Sequence, residues 1–184
     1  MLLESTKSEL NSQIIDFSLK GVDGKIHNVS DFKDKSVLVI IFMCNHCPYV
    51  KAVIGRFVSF QEKYSGRGVT LIGISPNDSV SYPEDSFDNM ILFAKEHNMN
   101  FPYLIDDTQE TAKKYDAVCT PDIYVYNKER KLKYRGRFDD NWKDELTVTS
   151  RELEQAVELI LGDYEVNIKQ IPSMGCSIKW KSVK

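Results

Sequence analysis

Apolar residues run without a break from Val37 to Phe42. After Pro48 the spacing changes, and Val50, Val53, Ile54, Phe57 and Val58 fall on one side of a helix. An unbroken apolar run suits a strand covered on both faces, as in a parallel or mixed α/β sheet. The period that follows predicts an amphipathic helix from about Pro48 to Tyr64, ended by Ser65-Gly66-Arg67-Gly68. Val69 to Ile74 is a second apolar strand, and strand, helix, strand at this spacing is a crossover unit that makes the two strands parallel.

Upstream, Ile14 to Leu19 and Lys25 to Asn28 flank Asp23-Gly24, which predicts a short antiparallel hairpin. Ser30 to Lys33 reads as one helical turn. Residues 1–13 are polar and are expected to stay loosely packed outside the domain.

Downstream, the polar stretch from Pro76 to Ser86 shows no apolar period. As a long loop after a strand it either borders a site or is a plain surface excursion. A second helix carries Phe87, Met90, Ile91 and Ala94 on one face. A short strand, Phe101 to Ile105, precedes Asp107-Thr108-Gln109-Glu110, which reads as a capping box opening a helix to Tyr115. Ala117-Val118-Cys119-Thr120-Pro121 leads into a strand at Ile123–Tyr126, and another follows at Lys131–Phe138. Thr149 to Glu152 reads as a second capping box, opening a helix with Leu153, Ala156, Val157, Ile160 and Leu161 inward and Gly162 at its end. The tail from Asp163 carries Val166, Ile168, Ile171, Ile178 and Trp180, an apolar load that predicts a fold back onto the domain.

The pattern describes one α/β domain over residues 14–184. A hydrophobic share of 42% and a charged share of 28% are a soluble balance, and a net charge of −3 argues against nucleic acid or an anionic membrane as partner. The longest apolar stretch is too short for a bilayer span, and the first residues do not read as a signal peptide, so a cytoplasmic location is expected. In that reducing setting four cysteines are more readily catalytic or metal-binding than structural.

Two of them, in Cys44-Asn45-His46-Cys47-Pro48, fall where the buried strand hands over to the helix. A helix N-terminus stabilises an anion, and the thiolate is the reactive form of cysteine. The junction is therefore a device for making a reactive thiol beside its own resolving partner.

This arrangement resembles thioredoxin-fold proteins, and the wider sequence resembles the redoxin branch that includes the peroxiredoxin-like, alkyl-hydroperoxide-reductase-type proteins. The matching pieces are DFSLKGVDGK, CNHCPYVK, CTPDIYVYN, YRGRFDD and GCSIKWK, spread in order from Asp16 to Lys181. The resemblance implies a thioredoxin-like α/β fold: a central mixed sheet with helices on both faces, an N-terminal hairpin and a C-terminal tail. It also implies that Cys44 is the exposed nucleophile and that Cys47 resolves the mixed disulfide. His46 would place a donor or a positive charge beside the Cys44 thiolate, or would be a solvated bystander. Thr120-Pro121 resembles the cis-proline loop, whose backbone edge pairs with an extended substrate; the plain alternative is a trans turn.

Peroxiredoxins follow their peroxidatic cysteine with proline and place threonine or serine three residues earlier. Cys47-Pro48 matches that pair, Cys44 takes the threonine position, and the upstream proline (at Ile40) and the arginine are absent. Leu38 stands where thioredoxins keep a buried acid.

The remaining residues are read both ways. Lys131, Lys133, Arg135 and Arg137 alternate along a strand as a solvated face or a patch for acidic partners. Asp139 and Asp140 read as solvated. Cys119 is either a small packing residue or a third redox thiol, with Cys176 as its further partner. The activity expected is thiol–disulfide exchange by a Cys44–Cys47 dithiol acting on protein or small-molecule disulfides with a thiol reductant, without cofactor or metal. The alternatives are a thiol peroxidase, or a copper or zinc module built from Cys44, His46 and Cys47 with Cys119 or Cys176.

Overall fold

The structure is a computed structural model that describes residues 1–6 and 9–182. Ten strands appear in chain order: β1 Leu2–Glu4, β2 Ser18–Gly21, β3 Ile26–Asn28, β4 Val37–Phe42, β5 Val69–Ser75, β6 Tyr103–Ile105, β7 Cys119–Thr120, β8 Asp122–Tyr126, β9 Leu132–Arg135 and β10 Met174–Ser177. The α-helices are α1 Pro48–Ser65, α2 Phe87–Glu96, α3 Glu110–Lys114 and α4 Glu152–Leu161. A short 3-10 turn at Val29–Phe32 matches the helical turn expected there.

Seven strands form the main sheet in the order β3-β2-β6-β5-β4-β8-β9. β4, β5 and β6 run parallel, while β2 and β8 run antiparallel to their neighbours. The sheet is mixed, as the pattern predicts. Every residue of β4 is buried because each of its faces has its own core. Val37, Val39 and Ile41 pack with α1, α2 and α4 through Phe57, Met90, Phe93 and Leu153. Leu38, Ile40 and Phe42 pack with Phe32, Ala112 and Tyr115 on the other side. Each such aliphatic side chain contributes about 1.5–3 kcal/mol by leaving water. β4 is thus a rigid base for whatever follows its last residue.

A second sheet, β1-β10-β7, lies at the end of the domain where β4 stops. The tail folds back as expected, and β10 pairs with both neighbours: Leu2 faces Cys176, and Cys176 faces Thr120. The described part of residues 1–13 is therefore not outside the domain. Leu2–Glu4 is a strand and Ser5 is buried, which the polar local pattern concealed because the partner strand comes from the far end of the chain. The approach of β10 to β7 is close: a Cβ on Gly175 would lie 1.9 Å from the Thr120 carbonyl oxygen.

Several local readings are corrected by tertiary partners. The hairpin forms around Gly24 (φ +80°), but its first strand begins only at Ser18. Upstream, Ile14 and Gln13 are drawn to Arg130 and Lys131 at the far sheet edge. Neither capping box forms. Gln109 caps α3 from a left-handed conformation without a side-chain bond, and Asp106 takes the Ala112 N–H instead. Thr149 bonds Asp140, leaving Arg151 as the N-cap of α4. Ile91 is exposed, because α2 turns Met90 and Phe93 inward.

The Lys131–Arg137 alternation is a solvated face only at its start: Lys131 is exposed and Lys133 partly so, but the arginines are paired. β9 ends at Arg135, which is buried against Asp122 with Nη2 to Oδ2 at 2.7 Å. Arg137 is paired with Glu152. Asp139 is buried too, on Arg56 Nη1 at 2.6 Å. These charges are inside because each finds its counter-charge on another element.

Candidate functional site

The end of β4 delivers Met43 and Cys44 into the interior, and the chain then turns through Asn45 and His46 into α1. Cys47 is the N-cap of α1 (φ −68°, ψ 118°), and Pro48 takes the first helical position, where its missing N–H costs nothing. Both thiols are free and fully buried, so Cys44 is not the exposed cysteine the thioredoxin pattern implies. β7 and β10 cover the pair.

Thr120 touches both sulfurs. Its carbonyl oxygen lies 3.1 Å from Cys47 Sγ and accepts from that thiol while it is protonated, and its hydroxyl lies 3.4 Å from Cys44 Sγ. The Thr120–Pro121 peptide is cis, as the loop's resemblance implied.

The two thiols are displaced in opposite directions. Cys47 is lowered to about 5, first by a hydrogen bond from the Cys44 thiol and further by Thr120 and the backbone N–H groups of Val50 and Cys176, against the opposing effect of burial. Cys44 is raised well above the ordinary value by that same bond to Cys47, by burial and by the charge of Asp85. Thiolate character in the reduced pair is thus favoured on Cys47, first through the bond from Cys44.

Residues 76–86 border the site and are not a plain surface excursion. Their key residue is Asp85, which pattern reading missed. Its Oδ1 accepts the backbone N–H of Asn45 at 2.8 Å and of His46 at 3.2 Å. Its Oδ2 accepts Nδ1–H of His46 at 2.5 Å and Nδ2–H of Asn77 at 2.8 Å. The His46 ring also stacks on Tyr82, with centroids 5.5 Å apart and planes 7° from parallel. His46 thus gives its Nδ1 proton to Asp85 and not to Cys44. Leu38, in the place of the thioredoxin acid, is core, and the buried acid at this site comes from the loop. The only sequence signal was an acid-containing polar loop following a strand that runs parallel to β4.

Cys44, His46 and Asp85 place one ligand-type atom each within 4.8 Å of one another, the one metal-capable group found among the described residues. Both Asp85 oxygens already accept N–H donors, and neither Cys119 nor Cys176 belongs to the group. The copper or zinc set gathered from the sequence is not assembled.

The auxiliary thiols separate. Cys119 is buried with Sγ 3.8 Å from the Pro121 carbonyl oxygen and 3.9 Å from that of Ser173, and burial pushes its thiol up. Cys176 is half-buried and packs against the core cluster that holds Cys44 and Cys47, where it influences the Cys47 thiol. Beyond Pro121 lies a cleft of about 200 Å³ walled by Tyr49, Val53, Trp142 and Met174. It gives an extended ligand an apolar approach beside the cis peptide.

Comparison with known proteins follows from this geometry. The AhpC/TSA family pattern matches residues 10–135. A stretch of 99 residues, 54% of this chain, is 30% identical to the chloroplastic peroxiredoxin Q of Triticum aestivum and spans 42% of that protein. The chain thus matches less than half the length of that relative. Over 126 residues, 68% of each protein, it is 24% identical to the thiol-disulfide oxidoreductase ResA of Bacillus thuringiensis. An uncharacterized conserved protein from Geobacillus kaustophilus has the same structure throughout: TM-score 0.95, 42% identity, 100% of this chain and 98% of that one.

Proposed function

The chain belongs to the AhpC/TSA family, and on that basis we propose that it is a thiol–disulfide oxidoreductase cycling between a Cys44, Cys47 dithiol and the corresponding disulfide. The observation that carries this reading is the placing of both free thiols at the start of α1, each against Thr120. Cys47 attacks one sulfur of a substrate disulfide, forming a mixed disulfide and releasing the other sulfur as thiolate. Cys44 then loses its proton and attacks Cys47 Sγ. The second substrate thiolate leaves, and the Cys44–Cys47 bond remains until a thiol reductant restores the dithiol.

Suitable substrates are protein or small-molecule disulfides, approaching along the cleft beside Pro121. A reducing compartment such as the cytoplasm fits this direction of flow.

The second reading, a thiol peroxidase, is favoured by one observation: the low-pKa cysteine is the one followed by proline. Cys47 would then attack a peroxide oxygen, releasing alcohol or water, and Cys44 would condense with the resulting sulfenic acid. Turnover with a protein disulfide and with hydrogen peroxide, each in the presence of the same reductant, tests the choice. Faster disulfide turnover, lost in Cys47→Ser, is expected. A peroxide rate far above the disulfide rate would replace the first reading with the second.

A further inference from the structure

β10 adds to the edge of β7 immediately before the cis peptide, and its register sets Cys176 opposite Thr120. Thr120 is the residue that touches both Cys44 and Cys47. The chain therefore lays its own strand along the edge where an extended substrate would pair, and that strand carries a cysteine packed against the cluster that holds Cys44 and Cys47. Gly175, which has no room for a Cβ, lets the strand come close enough to do so. The placement is held on both sides: Ser177 N–H bonds the Met1 carbonyl, Ile178 N–H bonds that of Val118, and Lys179 N–H bonds Asn77 Oδ1.

We propose that Cys176 is a third redox thiol, which exchanges with the Cys44–Cys47 disulfide and carries it outward as a Cys47–Cys176 bridge. The inference rests on the dithiol cycle proposed above. Cys44 and Cys47 are fully buried, whereas Cys176 is partly exposed, so the relay gives the disulfide an outlet that a reductant reaches.

The step balances without an added oxidant. Cys176 gives up its proton, and its sulfur bonds to Cys47 Sγ as the Cys47–Cys44 bond breaks. The electron pair leaves with Cys44, which takes up a proton. An external thiol then attacks Cys176 Sγ and releases the Cys47 thiolate. A second external thiol frees Cys176 and leaves as part of the oxidised reductant. The sequence is also timed by charge. In the reduced protein burial, and then the bond to Cys47, push the Cys176 thiol up to about 11. Once Cys47 is tied in a disulfide its charge is gone, while Lys179 still favours the Cys176 thiolate.

The test is disulfide mapping combined with reduction kinetics. Reduced protein is treated with an equimolar amount of diamide, blocked with N-ethylmaleimide and digested without reductant. Wild type is expected to yield both Cys44–Cys47 and Cys47–Cys176 peptides, and monomeric Cys44→Ala the second alone. Cys176→Ser and Cys176→Ala should still form the Cys44–Cys47 bridge, which glutathione then reduces about tenfold more slowly than in wild type. Cys47 found only as sulfenic acid or as an intermolecular dimer in Cys44→Ala, with glutathione rates unchanged in both Cys176 variants, would overturn the relay. Failure of the underlying dithiol cycle reads differently: the Cys176 variants then form no Cys44–Cys47 bridge at all, and the relay falls with it.

Discussion

Asp85 holds His46 by two separate bonds, one oxygen taking the imidazole Nδ1–H and the other the residue's own backbone N–H. With Asn45 and Asn77 added, a fully buried carboxylate is satisfied by four N–H donors, and the turn between β4 and α1 is pinned to residues that follow β5. The bonds through Asn45 and His46 set where Cys44 and Cys47 point.

Removing that anchor should loosen the turn. Asp85→Ala leaves buried N–H groups without an acceptor, and a loss of about 1–3 kcal/mol in urea unfolding is expected. The milder Asp85→Asn also removes the charge that raises Cys44, so its thiol should titrate at lower pH than in wild type. Ultraviolet thiolate absorbance against pH in the Cys47→Ser background reads that change directly.

The low value of Cys47 makes a pH prediction with a definite sign. Thiolate absorbance of the reduced protein should fall with a midpoint near 5 as pH is lowered. A folded-state value below that of the unfolded chain stabilises the reduced fold above the unfolded pKa of about 8.5. This contribution is lost as pH falls toward and through about 5. Because the bond from Cys44 is the largest cause, Cys44→Ala should move the midpoint upward.

Gly175→Ala tests how tightly β10 seals the site. The added carbon meets the Thr120 backbone and not a yielding side chain, so the strand must shift, at a cost of about 1–3 kcal/mol. N-ethylmaleimide should then modify Cys44 and Cys47 faster in native buffer than in wild type. An unchanged rate would mean the cover already opens freely.

Arg135 is nearly fully buried and holds Asp122, Thr6 and the Asp116 carbonyl. Arg135→Met strands the Asp122 carboxylate and should cost about 3–5 kcal/mol in denaturant unfolding. Pairing it with Asp122→Leu should recover much of that loss, since the expensive state is one charge without the other.

The strand, the helix and the cysteine pair between them were legible because each rests on neighbours within a few residues. β4 could be read from six consecutive apolar side chains, and α1 from a period that starts at Pro48. What escaped depends on groups that meet only after folding. Asp85 lies 40 residues from Asn45, and its polar loop alone does not single it out from its acidic neighbour Glu84. Arg135 and Asp139 look like surface charges until Asp122 and Arg56 are brought to them. The burial of Cys44 and Cys47 escaped for the same reason: spacing places both at a helix start, but the cover over them comes from Thr120 and the strand that carries Cys176.

The three-stranded sheet joins Leu2–Glu4 to Met174–Ser177, segments far apart in sequence. Synthesis proceeds from the N-terminus, so β4 and α1 are made well before the strand that covers them. A growing chain consequently carries Cys44 and Cys47 uncovered until Met174–Ser177 emerges. For that interval the thiols are open to oxidants and foreign cysteines, and β10 closes over them only once it has been made and can pair with β7.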